Sequence, residues 1–210
     1  MKHVSVGTSL TQANWEDATI HVNDDGSALS LYSNTTGYDN SAFGVNALVD
    51  NTTGNDNSAF GPDALQCNTT GNYNSAFGLN ALYSNTTGYQ NSAFGLTALY
   101  NNTTGNYNSA FGQGALQSNT TGSYNLALGL NAGLYNTTVS NQLFINTLDQ
   151  GNYTNDVSNS LIYGIFNATP SNQVLSLNAG TINMDYLPTS NPHVVGKLWN
   201  NSGTLMVSGG

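Results

Sequence analysis

The chain has 210 residues, with 2 Lys plus Arg against 11 Asp plus Glu, for a formal net charge of -9. So few basic groups exclude neutralisation of a nucleic-acid backbone and docking on an anionic membrane surface. Charged residues are 6% of the chain, where an ordinary soluble domain carries about 25%; apolar residues are still 38% and recur at fixed positions, so an ordered repeat is expected rather than disorder.

Residues 1–30 are not repetitive. The N-terminus lacks the apolar core of a signal peptide, and no apolar run reaches membrane-spanning length. Cytoplasmic synthesis and no membrane insertion are the expectation. Alternation at His3–Val6 and Ala18–Val22 predicts two short strands around an Asn23-Asp24-Asp25-Gly26 turn. This segment is expected to cap or attach the array that follows.

Residues 31–139 are that array. Residues 31–47 read LYSNTTGYDNSAFGVNA and residues 82–98 read LYSNTTGYQNSAFGLTA. The glycine after NTT falls at Gly37, Gly54, Gly71, Gly88, Gly105 and Gly122. The aromatic position falls at Phe43, Phe60, Phe77, Phe94 and Phe111 and then becomes Leu128. The step is always 17 residues. A period of about 33–47 is needed for helical repeats, and about 40 or more for propeller blades. Seventeen residues hold only short strands and turns, and Gly, Asn and Thr disfavour helix. The expected fold is all-β, a parallel β-solenoid or β-roll with one coil per repeat, each adding about 4.8 Å of length.

The columns acquire roles in such a stack. NTTG is turn chemistry, with glycine expected to supply positive φ. NSAFG is the strand, with Phe on one face and Ala and Gly on the other. ALY, as at Ala81-Leu82-Tyr83, is expected to add a second apolar strand edge. Asn40, Asn57, Asn74, Asn91, Asn108 and Asn125 would lie above one another as an amide ladder. The small Ala/Gly face suggests close approach by another backbone, so three chains, intertwined or side by side, are expected to meet there.

Residues 140–183 lose the period but keep strand-like runs at 142–145 and 173–177. Residues 184–210 carry a two-proline turn and a hairpin expected around Asn200–Gly203.

Little of this sequence points to catalysis. His3, His21 and His193 have no partners at metal-ligand spacing, so no cofactor or metal is expected. Asp39, Asp50, Asp56 and Asp63 form no paired acidic column of the kind glycoside hydrolysis uses, and no enzyme activity is expected. Cys67 stands alone, at a position where other repeats have Ser33, Ser84 or Ser118. Every NTT matches a glycosylation acceptor, but turn chemistry is the preferred reading. Tyr32, Tyr83 and Tyr100 are candidate contacts for surface glycans, set against simple packing between coils.

The NSAFGxxA phrase resembles the head repeats of trimeric autotransporter adhesins. The longer NTTGxxNSAFGxxAL pattern is similar to repeats in phage tail-fibre and related virion proteins. The LPTSNP phrase at 187–192, with VVGKLWNNSGTLMVSGG after it, resembles the closing segment of phage structural proteins, and NSLIYGIF at 159–166 is similar to segments before such ends. The resemblance implies a homotrimeric virion fibre, a tail fibre or short fibre, that adheres to a host surface. Its partners would be itself, other virion proteins and host-surface glycans. A capsid decoration protein and a cell-surface adhesin or fibril subunit are the alternatives.

Overall fold

The computed structural model describes residues 30–146 without interruption, together with 5–6, 20–21, 151–152, 154–155, 160–165, 174–177, 198–201 and 204–207. They fall in two compact units, Met1–Asn178 and Ala179–Gly210. The Asn23–Gly26 turn, His3, His193 and the two-proline segment lie outside the described residues.

The protein is all-β, and its centre is a solenoid of 17-residue coils. Each coil contributes one three-residue strand: β3 (Ser41–Phe43), β4 (Ser58–Phe60), β5 (Ser75–Phe77), β6 (Ser92–Phe94), β7 (Ser109–Phe111) and β8 (Leu126–Leu128). They pair parallel and in register, Ala42 with Ala59 and so on along the array. The parallel ladder runs on past residue 139 to β9 (Gln142–Ile145), where Ala127 pairs with Phe144. There the direction changes. Strands β10 (Ile162–Ile165) and β11 (Val174–Leu177) add antiparallel, covering the end of the parallel sheet. In the N-terminal segment, β1 (Ser5–Val6) and β2 (Ile20–His21) pair antiparallel. In the second unit, β12 (Leu198–Asn201) and β13 (Thr204–Val207) form the C-terminal antiparallel pair.

The interior is narrower than the sequence suggests. Its lining is the Ala42, Ala47 and Leu48 columns, buried in every coil. The Phe column, on the opposite strand face from Ala, points outward. Strand alternation lets only one of Ala and Phe point inward, and a 17-residue loop folded back on itself leaves no room for a benzyl group in every layer. The Ala face is therefore filled by the coil's own far wall, and it is not open to a second chain.

Phe144 shows the limit on size. It occupies the inward position that Ala127 holds one coil earlier, and it is buried. Its ring fits because the Leu column ends in Gly133, where an added Cβ would lie 2.7 Å from Phe144 Cδ2. A Leu-to-Gly loss and an Ala-to-Phe gain thus produce a plug that closes the core, with Tyr163 of β10 tilted against it at 5.4 Å.

The ALY phrase is a turn rather than a strand edge. Leu48, Leu65, Leu82, Leu99 and Leu116 adopt φ of 51–54° and swing their side chains inward. Two further corners per coil are also left-handed, the Asp39-to-Asn141 column and the Asn46-to-Asn131 column. Such a conformation costs about 1–2 kcal/mol for most residues, least for Asn, Asp and Gly, and inter-coil hydrogen bonds such as Leu48 N to Ala64 O at 3.1 Å hold it in place. The β-branched Thr97 (φ 55°) stands where other coils have Asn46, Asn80, Gly114 or Asn131. Thr97→Asn is expected to raise stability by about 1 kcal/mol, read as a higher thermal midpoint; a lower midpoint would mean that the Thr97 hydroxyl bond to Leu96 O matters more than the backbone.

Candidate interaction surface

The sequence-predicted Asn column is a ladder. Asn57 Nδ2 donates to Asn40 Oδ1 at 3.1 Å, and Asn57 N donates to the same oxygen at 3.0 Å. The pattern repeats through Asn74, Asn91 and Asn108. Asn125 keeps the backbone bond to Asn108, and Gln142 takes the next step with its N–H on Asn125 Oδ1.

A second ladder comes from the Asn of each NTT, read from sequence only as turn chemistry. Asn68 Nδ2 donates to Asn51 Oδ1 at 2.7 Å, and the series continues through Asn85, Asn102 and Asn119. The two ladders meet on one atom per coil. Gly88 O accepts from both Asn74 Nδ2 and Asn85 Nδ2 at 2.9 Å, and Gly71 O accepts from Asn57 at 2.9 Å and Asn68 at 3.0 Å. The second ladder ends at Asn119 and Asn136, whose Oδ1 atoms receive no donor. Two Asn columns with no exception over the array were the available sequence signal.

The glycine after NTT serves this junction. Its φ lies outside the left-handed region, contrary to the expected turn role. Its reason is space, since a Cβ on Gly71 would lie 2.3 Å from Gly88 O and 2.4 Å from Asn68 Oδ1. Positive φ belongs instead to the glycine after Phe, with values of 117–140° from Gly44 to Gly129.

Buried, doubly hydrogen-bonded Asn51, Asn68, Asn85 and Asn102 cannot present their amide nitrogens to a glycosylating enzyme in the folded state. Intact mass after expression in a secretory host is expected to show these coils unmodified, and sugars on them would require modification before folding.

What the rod offers outward is neutral and periodic. Residues 64–146 contain no Asp, Glu, Lys, Arg or His. The acidic residues of the array, Asp39, Asp50, Asp56 and Asp63, all precede them. Among the described residues no three His, Cys, Asp or Glu side chains group as metal ligands, and no helix is long and apolar enough to cross a membrane. Cys67 is half-buried; burial, then the Asp50 carboxylate, push its thiol above the ordinary value. This favours the neutral thiol, in keeping with its place in a column that also holds Ser33, Ser84 and Ser118.

On the outer side of the sheet the Phe column stacks as a continuous ladder. Successive rings from Phe43 to Phe111 lie 4.7–5.1 Å apart, within 14° of parallel. The sheet register carries on to the residue two past Phe, as Asp63 N donates to Val45 O at 2.8 Å. That column reads Val45, Pro62, Leu79, Leu96, Gln113 and Leu130, and its Val and Leu side chains are all exposed.

The structure separates the three tyrosines proposed as glycan contacts. Tyr32 is 72% exposed, with Val49 and Gln66 between it and the others in its column. Tyr83 and Tyr100 stack on each other at 5.0 Å, so each ring gives one face to its neighbour. A second aromatic group lies outside the expected glycan contacts: Tyr107 stacks on Tyr124 at 4.8 Å, and Tyr89 meets Tyr107 edge-on at 5.2 Å. It was readable in principle, because Tyr107 and Tyr124 are 17 residues apart.

No protein-family model, curated protein or solved structure matches this chain.

Proposed function

We propose that this chain is a non-enzymatic virion structural protein, a fibre-like homotrimer of the tail-fibre or short-fibre kind, that adheres to host surfaces. The observation that carries this reading is the uncharged solenoid over residues 64–146. It repeats an exposed Thr column coil after coil beside a stacked Phe ladder and is held by buried amide ladders. A rod of this kind displays many equivalent weak contacts, and three copies multiply them into avidity. The phage-like closing segment and repeat phrase add support from sequence.

In this reading host glycans are the ligand class. Tyr32 and the outer faces of Tyr83 and Tyr100 contribute flat apolar surface, and nearby hydroxyls and amides contribute hydrogen bonds. The partners are two further copies and other virion proteins, and the site of action is the virion.

Immunogold imaging of particles from the lysate in which the chain is made tests the assignment. Label on projecting fibres is expected. Label spread over the capsid would replace the fibre with a decoration protein, and label confined to cell envelopes would replace it with a cell-surface adhesin.

A further inference from the structure

We infer that copies of this chain associate through the Phe ladder and the aliphatic column beside it, with the rod axes aligned. This deepens the multi-chain rod proposed above and rests on it; the surface differs from the Ala/Gly face that the sequence suggested, which is interior.

Three observations select another copy of the chain as the occupant. The first is extent. The ladder from Phe43 to Phe111 continues through Leu128, which is 49% exposed, and Leu126 and Leu130 widen it at the last coils. Taking about 70 Å² of exposed surface for each of roughly a dozen apolar side chains, the strip offers about 800 Å² per copy, the area of a standard stable interface. Monomers rarely leave so long an apolar strip in water.

The second is charge. The ladder's last three rings and every leucine of the column beside it fall in the stretch with no ionisable Asp, Glu, Lys, Arg or His. Nothing there selects a charged partner, and nothing repels an identical strip. The third is spacing. The rings repeat every 4.7–5.1 Å, set by the coil height. A second copy carries the same period, so its ladder stays in step over the full length. Three such ladders can converge on one axis, each copy contributing a single ridge.

The test compares the full chain with a Phe77→Ser/Phe94→Ser variant and a Tyr107→Ser/Tyr124→Ser control by sedimentation velocity, with circular dichroism to establish folding. The wild type and the control are expected to sediment as one oligomer. The Phe variant is expected to associate on the order of a hundredfold more weakly while keeping its β spectrum. Should the Phe variant fail to fold, a Phe77→Cys/Cys67→Ser chain replaces it; Phe77 is the middle ring of the ladder, so chains that meet there form an intermolecular disulfide on mild oxidation. A monomeric wild type overturns the inference. So does an oligomer that survives the Phe substitutions, or one that gives no cross-link at position 77. In the last two cases the multi-chain fibre stands and only its contact face falls, and the imaging experiment judges the virion assignment separately.

Discussion

Gly71→Ala is expected to break the solenoid at its middle, costing at least about 4 kcal/mol. The added Cβ would sit 2.3 Å from Gly88 O, a backbone atom of the next coil, and 2.4 Å from Asn68 Oδ1. The carbonyl cannot rotate away, because it is the shared acceptor of Asn74 and Asn85. The asparagine cannot move, because its Nδ2 is bonded to Asn51 Oδ1 and Gly71 O. Relief requires the coils to separate, which opens the Thr69 N to Thr86 O and Ser75 N to Asn91 O bonds nearby. Since each coil contacts only its neighbours, unfolding of the variant in urea is expected to lose its single transition, with one half melting before the other. Thr70→Ala, one residue away on an exposed side chain, is the control and should change stability by no more than about 0.5 kcal/mol. A Gly71→Ala chain that unfolds at the wild-type midpoint would show that the inter-coil distance is soft.

Asn74→Ala is expected to cost about 3 kcal/mol. Asn74 Oδ1 accepts both Asn91 N at 3.0 Å and Asn91 Nδ2 at 3.2 Å, while its own Nδ2 donates to Asn57 Oδ1 and Gly88 O. Truncation leaves the Asn91 backbone N–H buried without an acceptor, the dearest part of the loss. Gly88 O keeps its bond from Asn85 and Asn91 Nδ2 keeps Gly105 O, so the remaining losses are partly offset. Asn74→Asp discriminates the ladder from simple space filling. It is nearly isosteric, but an ionised carboxylate cannot donate to Gly88 O or Asn57 Oδ1 and would face both oxygens. At neutral pH the Asp variant is expected to be no more stable than the Ala variant, by denaturant midpoint. Near-wild-type stability of Asn74→Asp would mean that shape, not hydrogen bonding, holds the column.

Much of the array was legible in advance because a strict step aligns like with like. The Ser-Ala-Phe strands, their parallel register and the Asn40-to-Asn125 ladder follow from one 17-residue period. The rest is locally ambiguous. Ala and Phe alternate without a charged residue to mark the outside, so both faces qualified as core. Leu82 in an Ala-Leu-Tyr run reads as strand, since Leu rarely adopts the left-handed conformation. The Gly71 column reads as a turn glycine, because a carbonyl 17 residues away leaves no trace in the local sequence.

The period, the one class of fold compatible with it, the absence of charge over the last coils and the identity of the stacked columns all follow from the order of residues alone. Which face is inside is fixed only when the coil closes. That choice depends on the coil's width, and width emerges from three left-handed corners per turn and from the glycine carbonyl that ties two Asn ladders together. Once the coil closes that tightly, Ala and Leu fill it. The phenylalanines are left on the outer face, where they stack on one another.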